Sequence, residues 1–224
     1  MFIFLTALFV HGIAAGEEKH RRRALQAGFG GITMSDNTPD GASFYFNDDR
    51  GNLFYLSGDS WLSQRLALTG QLFLEQNGIL SDMSDGIGFK KIYMAGVQCG
   101  AKYYFFPKKW ILQPHAGASL QVNVLNYGQT KGSHYYVAQQ GYPGSQFRLD
   151  YDVQCPAMSA VPQIGFDLHL LSSVSLCFDF DARIGLWGHN RYNVLFIDGP
   201  LMGKLVPHIN KRTRTAASVG LKID

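Results

Sequence analysis

The feature that most constrains this chain is a long, strict alternation of apolar and polar residues. In residues 110–127 every even position from Leu112 to Val124 is apolar, whereas the odd positions from Gln113 to Asn123 are polar or small. Successive side chains of a β-strand point to opposite faces. The segment therefore predicts a strand with one apolar face and one polar face. Its period is two residues, not the 3.6 of a helix.

The same alternation recurs along the chain, and we predict an all-β fold of eight antiparallel strands. The second strand has the weakest pattern, because turn-forming residues at positions 48–52 interrupt it. The predicted strands occupy residues 25–30, 42–58, 65–76, 91–105, 110–127, 158–169, 174–190 and 213–223.

The connections between these strands alternate in length. Short ones are predicted at residues 59–64, 107–109 and 171–173, and long polar ones at 35–42 or beyond, 77–88, 127–149 and 190–210. In an up-and-down order, all short turns then lie on one rim and all long loops on the other. Short periplasmic turns and longer extracellular loops are typical of outer-membrane barrels. The sequence therefore predicts an eight-stranded antiparallel up-and-down transmembrane β-barrel.

The charged residues decide which face of the sheet points inward. An aqueous barrel keeps its polar side outward, whereas each Lys or Arg facing lipid at mid-depth costs about 2–4 kcal/mol. We therefore predict that the polar face lines the lumen and that its charges pair there. This predicted network consists of Glu75, Lys102, His115, Asp167, Asp179, Asp181, Arg183, Arg214 and Lys222.

Aromatic residues cluster near the predicted short turns. Trp and Tyr are enriched where a membrane meets water, so we predict an interfacial girdle at this rim. Its members are Trp61, Tyr103, Tyr104 and Trp110, with Phe105 and Phe106 beside them.

The first residues are typical of an export signal. Residues 1–15 form an apolar run that is too short to span a membrane as a helix, and small residues followed by charges mark a cleavage region. We expect residues 1–16 to be a cleaved signal peptide and residues 17–224 to be the barrel domain. The alternative is a buried N-terminal strand or helix.

Composition and motifs exclude several functions. The formal net charge is +3 and only 17% of residues are charged, which gives no indication of nucleic-acid binding. No phosphate-binding loop, Cys-x-x-Cys or His-Glu-x-x-His occurs, so we expect no cofactor and no metal. The three cysteines are interpreted as thiols, with Cys99 facing lipid, Cys177 in the lumen and Cys155 near the outer end of a strand; one bridge between adjacent strands is the alternative.

Three segments carry a resemblance to known proteins: RLALTGQLFLEQN, AKYYFFPKKWILQPHAGASL and ASVGLKID. With these segments, residues 25–224 resemble the small outer-membrane β-barrel domain family of Gram-negative bacteria, particularly its Bacteroidetes-type sequences. The hairpin with the Pro-Lys-Lys-Trp turn is the most specific part. The resemblance implies an outer-membrane location and insertion by the outer-membrane assembly machinery.

We expect a non-enzymatic monomer with a plugged lumen, because eight strands leave room inside for side chains but not for a wide channel. Its surface loops would then serve binding or envelope structure. The longest loop candidate, residues 127–149, carries aromatic side chains that suit ligand contact or packing within the loop: Tyr135, Tyr136, Tyr142 and Phe147. The basic run at residues 211–214 is expected either to meet lipopolysaccharide phosphates or to be solvated.

Two other functions stay open at the level of sequence. One is a membrane-embedded enzyme acting on lipid A or phospholipid, since a lumen with Ser, His and Asp side chains has the components of a hydrolase triad. Those components are Ser119, His115, His169, His189, Asp167 and Asp179. The other is a small barrel within a secretion or assembly complex.

Overall fold

The computed structural model describes residues 23–34, 50–78, 91–106, 110–128, 131–137, 146–188, 190–210 and 214–224. The predicted signal peptide at 1–16, His189, and three residues of the basic run at 211–213 lie outside these segments. Within the described segments, no helix is long and apolar enough to cross a membrane.

Twelve strands are present in the described residues. They are β1 (Arg23–Met34), β2 (Arg50–Trp61), β3 (Leu66–Gly78), β4 (Lys91–Tyr104), β5 (Leu112–Gly128), β6 (Lys131–Val137), β7 (Gln146–Val153), β8 (Ala157–Leu171), β9 (Val174–Trp187), β10 (Asn190–Phe196), β11 (Leu205–Asn210) and β12 (Arg214–Ile223).

Eight of these strands close an antiparallel barrel in the order β1-β12-β9-β8-β5-β4-β3-β2. The predicted eight-stranded barrel is therefore confirmed. The stagger of the barrel is measured by tracing paired residues once around it. Lys222 on β12 pairs directly with Ser175 on the neighbouring strand β9. Traced in the opposite direction, from β12 through β1, β2, β3, β4, β5 and β8, the successive partners of Lys222 end on β9 at Gly185. This offset of ten residues over eight strands corresponds to a strand tilt of about 40°.

The prediction for the second strand is wrong in its bounds. Gly51 and Asn52, predicted as an interrupting turn, pair within β2, and the strand continues past Asp59 to Trp61. Long-range pairing holds this strand in place, because both β1 and β3 pair with it along most of its length. Residues 42–49 of the predicted strand lie outside the described part of the chain.

A β-bulge changes the predicted faces at the far end of β5. The ladder pairs Ala95 with Leu125 but Gly96 with Asn123, so Val124 is an extra residue opposite β4. Beyond the bulge the odd positions Leu125 and Tyr127 are exposed outward. A bulge inserts one unpaired residue and so reverses the facing pattern, which a strict period of two does not anticipate.

The other four strands form a second sheet in the order β11-β10-β7-β6. The long polar connections predicted at 127–149 and 190–210 therefore contain strands, and their prediction as loops is wrong for these residues. The β8/β9 ladder reaches Met158 and Trp187, and the β7/β10 ladder resumes with Val153 opposite Asn190. The seven residue pairs of the β7/β10 ladder correspond to a length of about 20 Å. This second sheet, called the outer sheet below, is formed by the two long connections.

Candidate functional site

All nine residues predicted for the lumen network lie on inward-facing strand positions. Seven of them are buried, and the side chains of Asp179 and Asp181 keep 12% and 10% exposure. Alternation along each strand places them there, while the neighbouring apolar residues face outward. The structure brings the nine together in two groups at different levels of the barrel.

The outer cluster consists of Glu75, Arg183, Arg214, Asp181 and Gln121, near the rim from which the long connections leave. Arg183 and Arg214 donate from their Nη1 atoms to the two different carboxylate oxygens of Glu75. Gln121 Nε2 donates to Glu75 Oε1 at 2.8 Å, and Arg183 Nε donates to Asp181 Oδ1 at 2.9 Å. Two positive and two negative charges thus balance within the cluster.

Apolar side chains pack beside this outer cluster. Ile32, Leu53, Tyr55, Phe73 and Ala216 form a buried group inside the barrel. The guanidinium carbon of Arg183 lies 6.0 Å from the centroid of the Phe73 ring, and Arg183 has 0% exposure. Because apolar groups exclude water, the charges of the outer cluster depend on one another rather than on solvent.

The inner cluster lies toward the short-turn rim and centres on Lys222. The ammonium donates to Asp59 Oδ2 at 2.7 Å, to Asp167 Oδ2 at 3.0 Å and to the Tyr104 hydroxyl at 2.8 Å. The Tyr104 hydroxyl also donates to Asp167 Oδ2 at 3.3 Å. A single cation therefore links β12 to β2, β4 and β8 across the lumen.

A second branch of the inner cluster contains His115, Asp179 and Lys102. His115 Nε2 is 2.9 Å and Lys102 Nζ is 3.3 Å from Asp179 Oδ1. Gly165 makes room for this contact, since a Cβ there would lie 2.8 Å from His115 Nε2 and 2.9 Å from Asp179 Oδ1. The imidazole and carboxylate thus occupy the space that a side chain at position 165 would fill.

Three residues of the interior were missed by the sequence reasoning. Asp59 was assigned to a short turn, although it forms the shortest ion pair of Lys222. Gln26 donates to the Tyr55 hydroxyl at 2.6 Å and to Asp179 Oδ2 at 3.4 Å. The sequence pattern that could have identified Asp59 and Tyr55 is their odd-numbered position on β2. The odd-numbered residues of this strand from 53 to 61 all face inward: Leu53, Tyr55, Ser57, Asp59 and Trp61.

The interfacial girdle is wrong for two of its four residues. Trp61 and Tyr104 are 8% and 0% exposed, with ring centroids 4.5 Å apart inside the barrel, because both occupy inward-facing positions. Tyr103 and Trp110 are exposed on the outside. The Trp110 ring stacks on Phe106 at 4.9 Å, and Tyr103 meets Phe105 edge to face at 5.9 Å.

Among the described candidates for a hydrolase triad, His115 contacts an aspartate, but Ser119 is not paired with a histidine. Ser119 Oγ accepts from Gln98 Nε2 at 2.7 Å and donates to the Val161 carbonyl at 3.4 Å, while His115 contacts Asp179. His169 Nδ1 lies 2.6 Å from Ser175 Oγ, a different serine that is buried. A nucleophile must lie within hydrogen-bond reach of its base, and His115 and Ser119 have other partners.

The next features concern possible metal ligands and the three cysteines. In the described segments, no group of three or more His, Cys, Asp and Glu residues is arranged to hold a metal ion. No disulfide joins Cys99, Cys155 and Cys177; Cys99 is exposed on the outside of the barrel and Cys177 is buried inside it. These faces agree with the sequence interpretation.

Together these features define a closed eight-stranded barrel with a charged interior, an apolar exterior and an additional sheet at one rim. The outer membrane protein OprG from Pseudomonas aeruginosa has a similar fold, with a TM-score of 0.54 and 12% identity over 91% of this chain and 96% of that chain. Outer Membrane Protein W from E. coli is also similar, with a TM-score of 0.50 and 9% identity over 92% of this chain and 99% of that chain.

These similarities establish the fold alone, because the identities are low. No family model matches the chain, and no curated protein matches it. The narrower resemblance to Bacteroidetes-type sequences stays a prediction.

Proposed function

We propose that this protein is a non-catalytic outer-membrane barrel of a Gram-negative envelope that holds the outer sheet at the cell surface. One observation carries the proposal: burial is inverted relative to a water-soluble protein. Arg183 and Glu75 are fully buried, whereas Leu72 is 58% exposed in the middle of β3. Soluble proteins rarely bury charges while exposing large apolar residues.

The exposed apolar residues extend around the whole barrel. Each barrel strand contributes at least one large or medium apolar side chain to the outside, and most contribute several, among them Leu25, Phe29, Phe54, Leu56, Leu72, Leu120, Ile164, Phe180, Ile184 and Leu221. Continuous apolar surface of more than a few hundred Å² on a monomer marks an interaction with protein or membrane. A band that encircles a closed barrel fits hydrocarbon, which surrounds the protein on all sides.

Exposed aromatic residues lie at both ends of this band. Tyr103, Phe106 and Trp110 are at the short-turn rim, and Tyr127 and Trp187 are near the opposite rim. Aromatic side chains at these two levels suit the two membrane–water interfaces. The expected orientation places the outer sheet outside the cell, where it meets the lipopolysaccharide leaflet, with insertion by the outer-membrane assembly machinery.

The two charge clusters support a plugged lumen. They link strands across the barrel at two levels, and the eight-stranded circumference leaves space for side chains rather than for an open pore. We propose that each barrel is monomeric within its membrane and that the clusters stabilise it. Ser119 and His115 contact other partners rather than each other, which gives no support to a lipid-modifying enzyme that uses this pair.

Two measurements test this proposal. The full chain, expressed with an export signal in a Gram-negative host, is expected in the outer-membrane fraction, and the unboiled protein is expected to migrate differently on a gel from the boiled protein. In planar bilayers it is expected to show conductance far below that of a porin. Recovery in the soluble fraction contradicts the membrane location, and porin-like conductance contradicts the plug.

A further inference from the structure

The outer sheet has two lateral edges among the described strands, β11 on one side and β6 on the other. An edge strand presents backbone N–H and C=O groups that can pair with another chain. The two edges differ in a way that the hydrogen-bond pattern of the sheet reveals.

The edge at β11 is interrupted by a proline. Phe196 N donates to the Lys204 carbonyl, and Ile197 N donates to the Gln146 carbonyl, so even residues of β10 face β11 and odd ones face β7. Pro207 is opposite the odd residue Asn193, and its nitrogen therefore points away from β10 toward the open edge. Because proline has no N–H, this edge lacks a donor at its middle position.

The edge at β6 has no such interruption. The hydrogen-bond alternation continues across β7 to β6. The backbone N–H and C=O groups of the even residues of β6 therefore point toward β7, and those of its odd residues point away from the sheet. Lys131, Ser133, Tyr135 and Val137 thus direct an N–H and a C=O away from the sheet. A seven-residue strand without proline or an inserted bulge is a complete template for a further strand.

We propose that β6 pairs in antiparallel fashion with β6 of a second copy of this chain, around a two-fold axis at His134. In this register Lys131 is opposite Val137 and Ser133 is opposite Tyr135, so all outward-facing backbone groups of both strands are paired. Each such opposed pair exchanges two hydrogen bonds. The strand can pair with its own copy because the four residues with outward-pointing backbone groups are placed symmetrically about residue 134.

Charge also favours a second copy as the occupant. The one formally charged residue of β6 is Lys131 at its end, so the two lysines of a pair lie at opposite ends of the joined ladder, about 20 Å apart. Two lysines directly opposite each other would destabilise the pairing, and this register places no Lys opposite another Lys. The joined sheet contains eight strands, with a Pro207 edge at each side.

This pairing determines how the two barrels are arranged. The β7/β10 ladder continues beyond β8/β9, so the strands of the outer sheet lead away from the barrel rim. Antiparallel pairing reverses the direction of the second copy, and the two barrels lie at opposite ends of the joined sheet. This step rests on the membrane location proposed above. Given that location, the contact joins proteins in two facing membranes rather than neighbouring proteins in one membrane.

The first test removes one outward N–H from the β6 edge. Tyr135→Pro deletes this donor in both copies, whereas Tyr135→Ala removes the same side chain and keeps the donor. In detergent, sedimentation is expected to show dimers of the wild type and of Y135A, and at least about tenfold weaker association of Y135P, since two hydrogen bonds are lost. Monomers for all three proteins, or equal association of Y135P and Y135A, overturn the proposal.

The second test reports the register directly and is made in a variant whose three native cysteines are replaced by serine or alanine. Residues that face each other at a non-hydrogen-bonded pair have Cα atoms about 4.5 Å apart, which suits a disulfide. His134→Cys therefore is expected to give oxidised dimers, whereas Tyr136→Cys, two residues along the same face, is not. Equal cross-linking at both positions, or none at 134, overturns the register.

Gel migration separates failure of this pairing from failure of the proposed function. Each variant is expected to keep the difference between boiled and unboiled migration, because the barrel strands are unchanged. If the wild type shows that difference yet stays monomeric, the pairing is wrong and the barrel proposal stands. If the difference is absent in the wild type, the barrel proposal itself fails.

Discussion

Replacing Glu75 with glutamine tests whether the outer cluster stabilises the barrel. The substitution preserves the shape of the side chain and removes its negative charge. Glu75 accepts from both Arg183 and Arg214, and all three side chains are almost completely buried. In the variant, Asp181 remains beside Arg183, but the cluster then has two positive charges and one negative charge.

The expected loss follows from the burial of these groups. Removing one partner of a buried ion pair costs about 3–5 kcal/mol, because a charge is left without compensation. The apolar group around Phe73 limits the access of water that would otherwise solvate Arg214. We therefore expect E75Q to reduce the free energy of unfolding by about 3–5 kcal/mol.

Urea unfolding in detergent micelles, followed by tryptophan fluorescence and by unboiled gel migration, measures this loss. Asp150→Asn is the matched control, since Asp150 pairs with Arg148 on the outer sheet where both side chains are about one-third exposed. An exposed ion pair contributes about 0–1 kcal/mol, so D150N is expected to remain close to the wild type.

A second substitution separates loss of charge balance from loss of packing. Glu75→Gln combined with Arg214→Met restores one positive and one negative charge, Arg183 with Asp181. We expect the double variant to recover part of the stability that E75Q loses, which a double-mutant cycle measures. If E75Q unfolds within about 1 kcal/mol of the wild type, the buried cluster does not stabilise the barrel and the reasoning is refuted.

Further substitutions test the exterior, the packing and the inner cluster. Leu72→Arg is expected to cost about 2–4 kcal/mol in lipid, whereas Leu205→Arg, equally exposed but on the outer sheet, is expected to change unfolding little in the same liposome assay; equal effects would contradict the lipid-facing assignment. Gly165→Val is expected to destabilise by about 1–3 kcal/mol because its Cβ meets the Phe178 carbonyl oxygen and the His115 ring, and an unchanged urea midpoint would contradict this. Lys222→Met leaves two buried aspartates without their cation and is expected to cost about 3–5 kcal/mol, more than Lys204→Met at an exposed turn.

Alternation predicted the faces of the barrel strands better than it predicted the roles of individual side chains. Period two places a residue inside or outside, and the nine residues predicted for the lumen network lie at inward-facing positions. It carries no information on depth or partner. Glu75 contacts Arg183 and Arg214 because of the stagger between strands that are distant in sequence. Closure of the barrel fixes that stagger.

Trp61 and Tyr104 illustrate a conflict between two sequence signals. Their residue type and position near short turns favoured the membrane interface. Their odd or even position in the alternation of β2 and β4 instead placed them inside the barrel. Parity prevailed because a strand cannot rotate one side chain to the other face without breaking its ladder. Tyr104 then gains a hydrogen-bond partner in Lys222, which satisfies its hydroxyl inside the barrel.

The outer sheet shows where pattern reading reached its limit. Its strands have six to eight residues. β6 and the start of β7 lie in a segment rich in Gly, Gln and Ser, and β10 and β11 flank a Gly-Pro turn, so local propensity favoured loops. β7 and β10 pair because β8 and β9, to which they connect, are already paired in the barrel. By itself the sequence determined the strand period, the two faces and the asymmetry of the connections, all of which are local properties. Only the tertiary structure decided which charges meet, where the bulge reverses a face and which of the described strands form the edges of the outer sheet, because these depend on register between segments far apart in the chain.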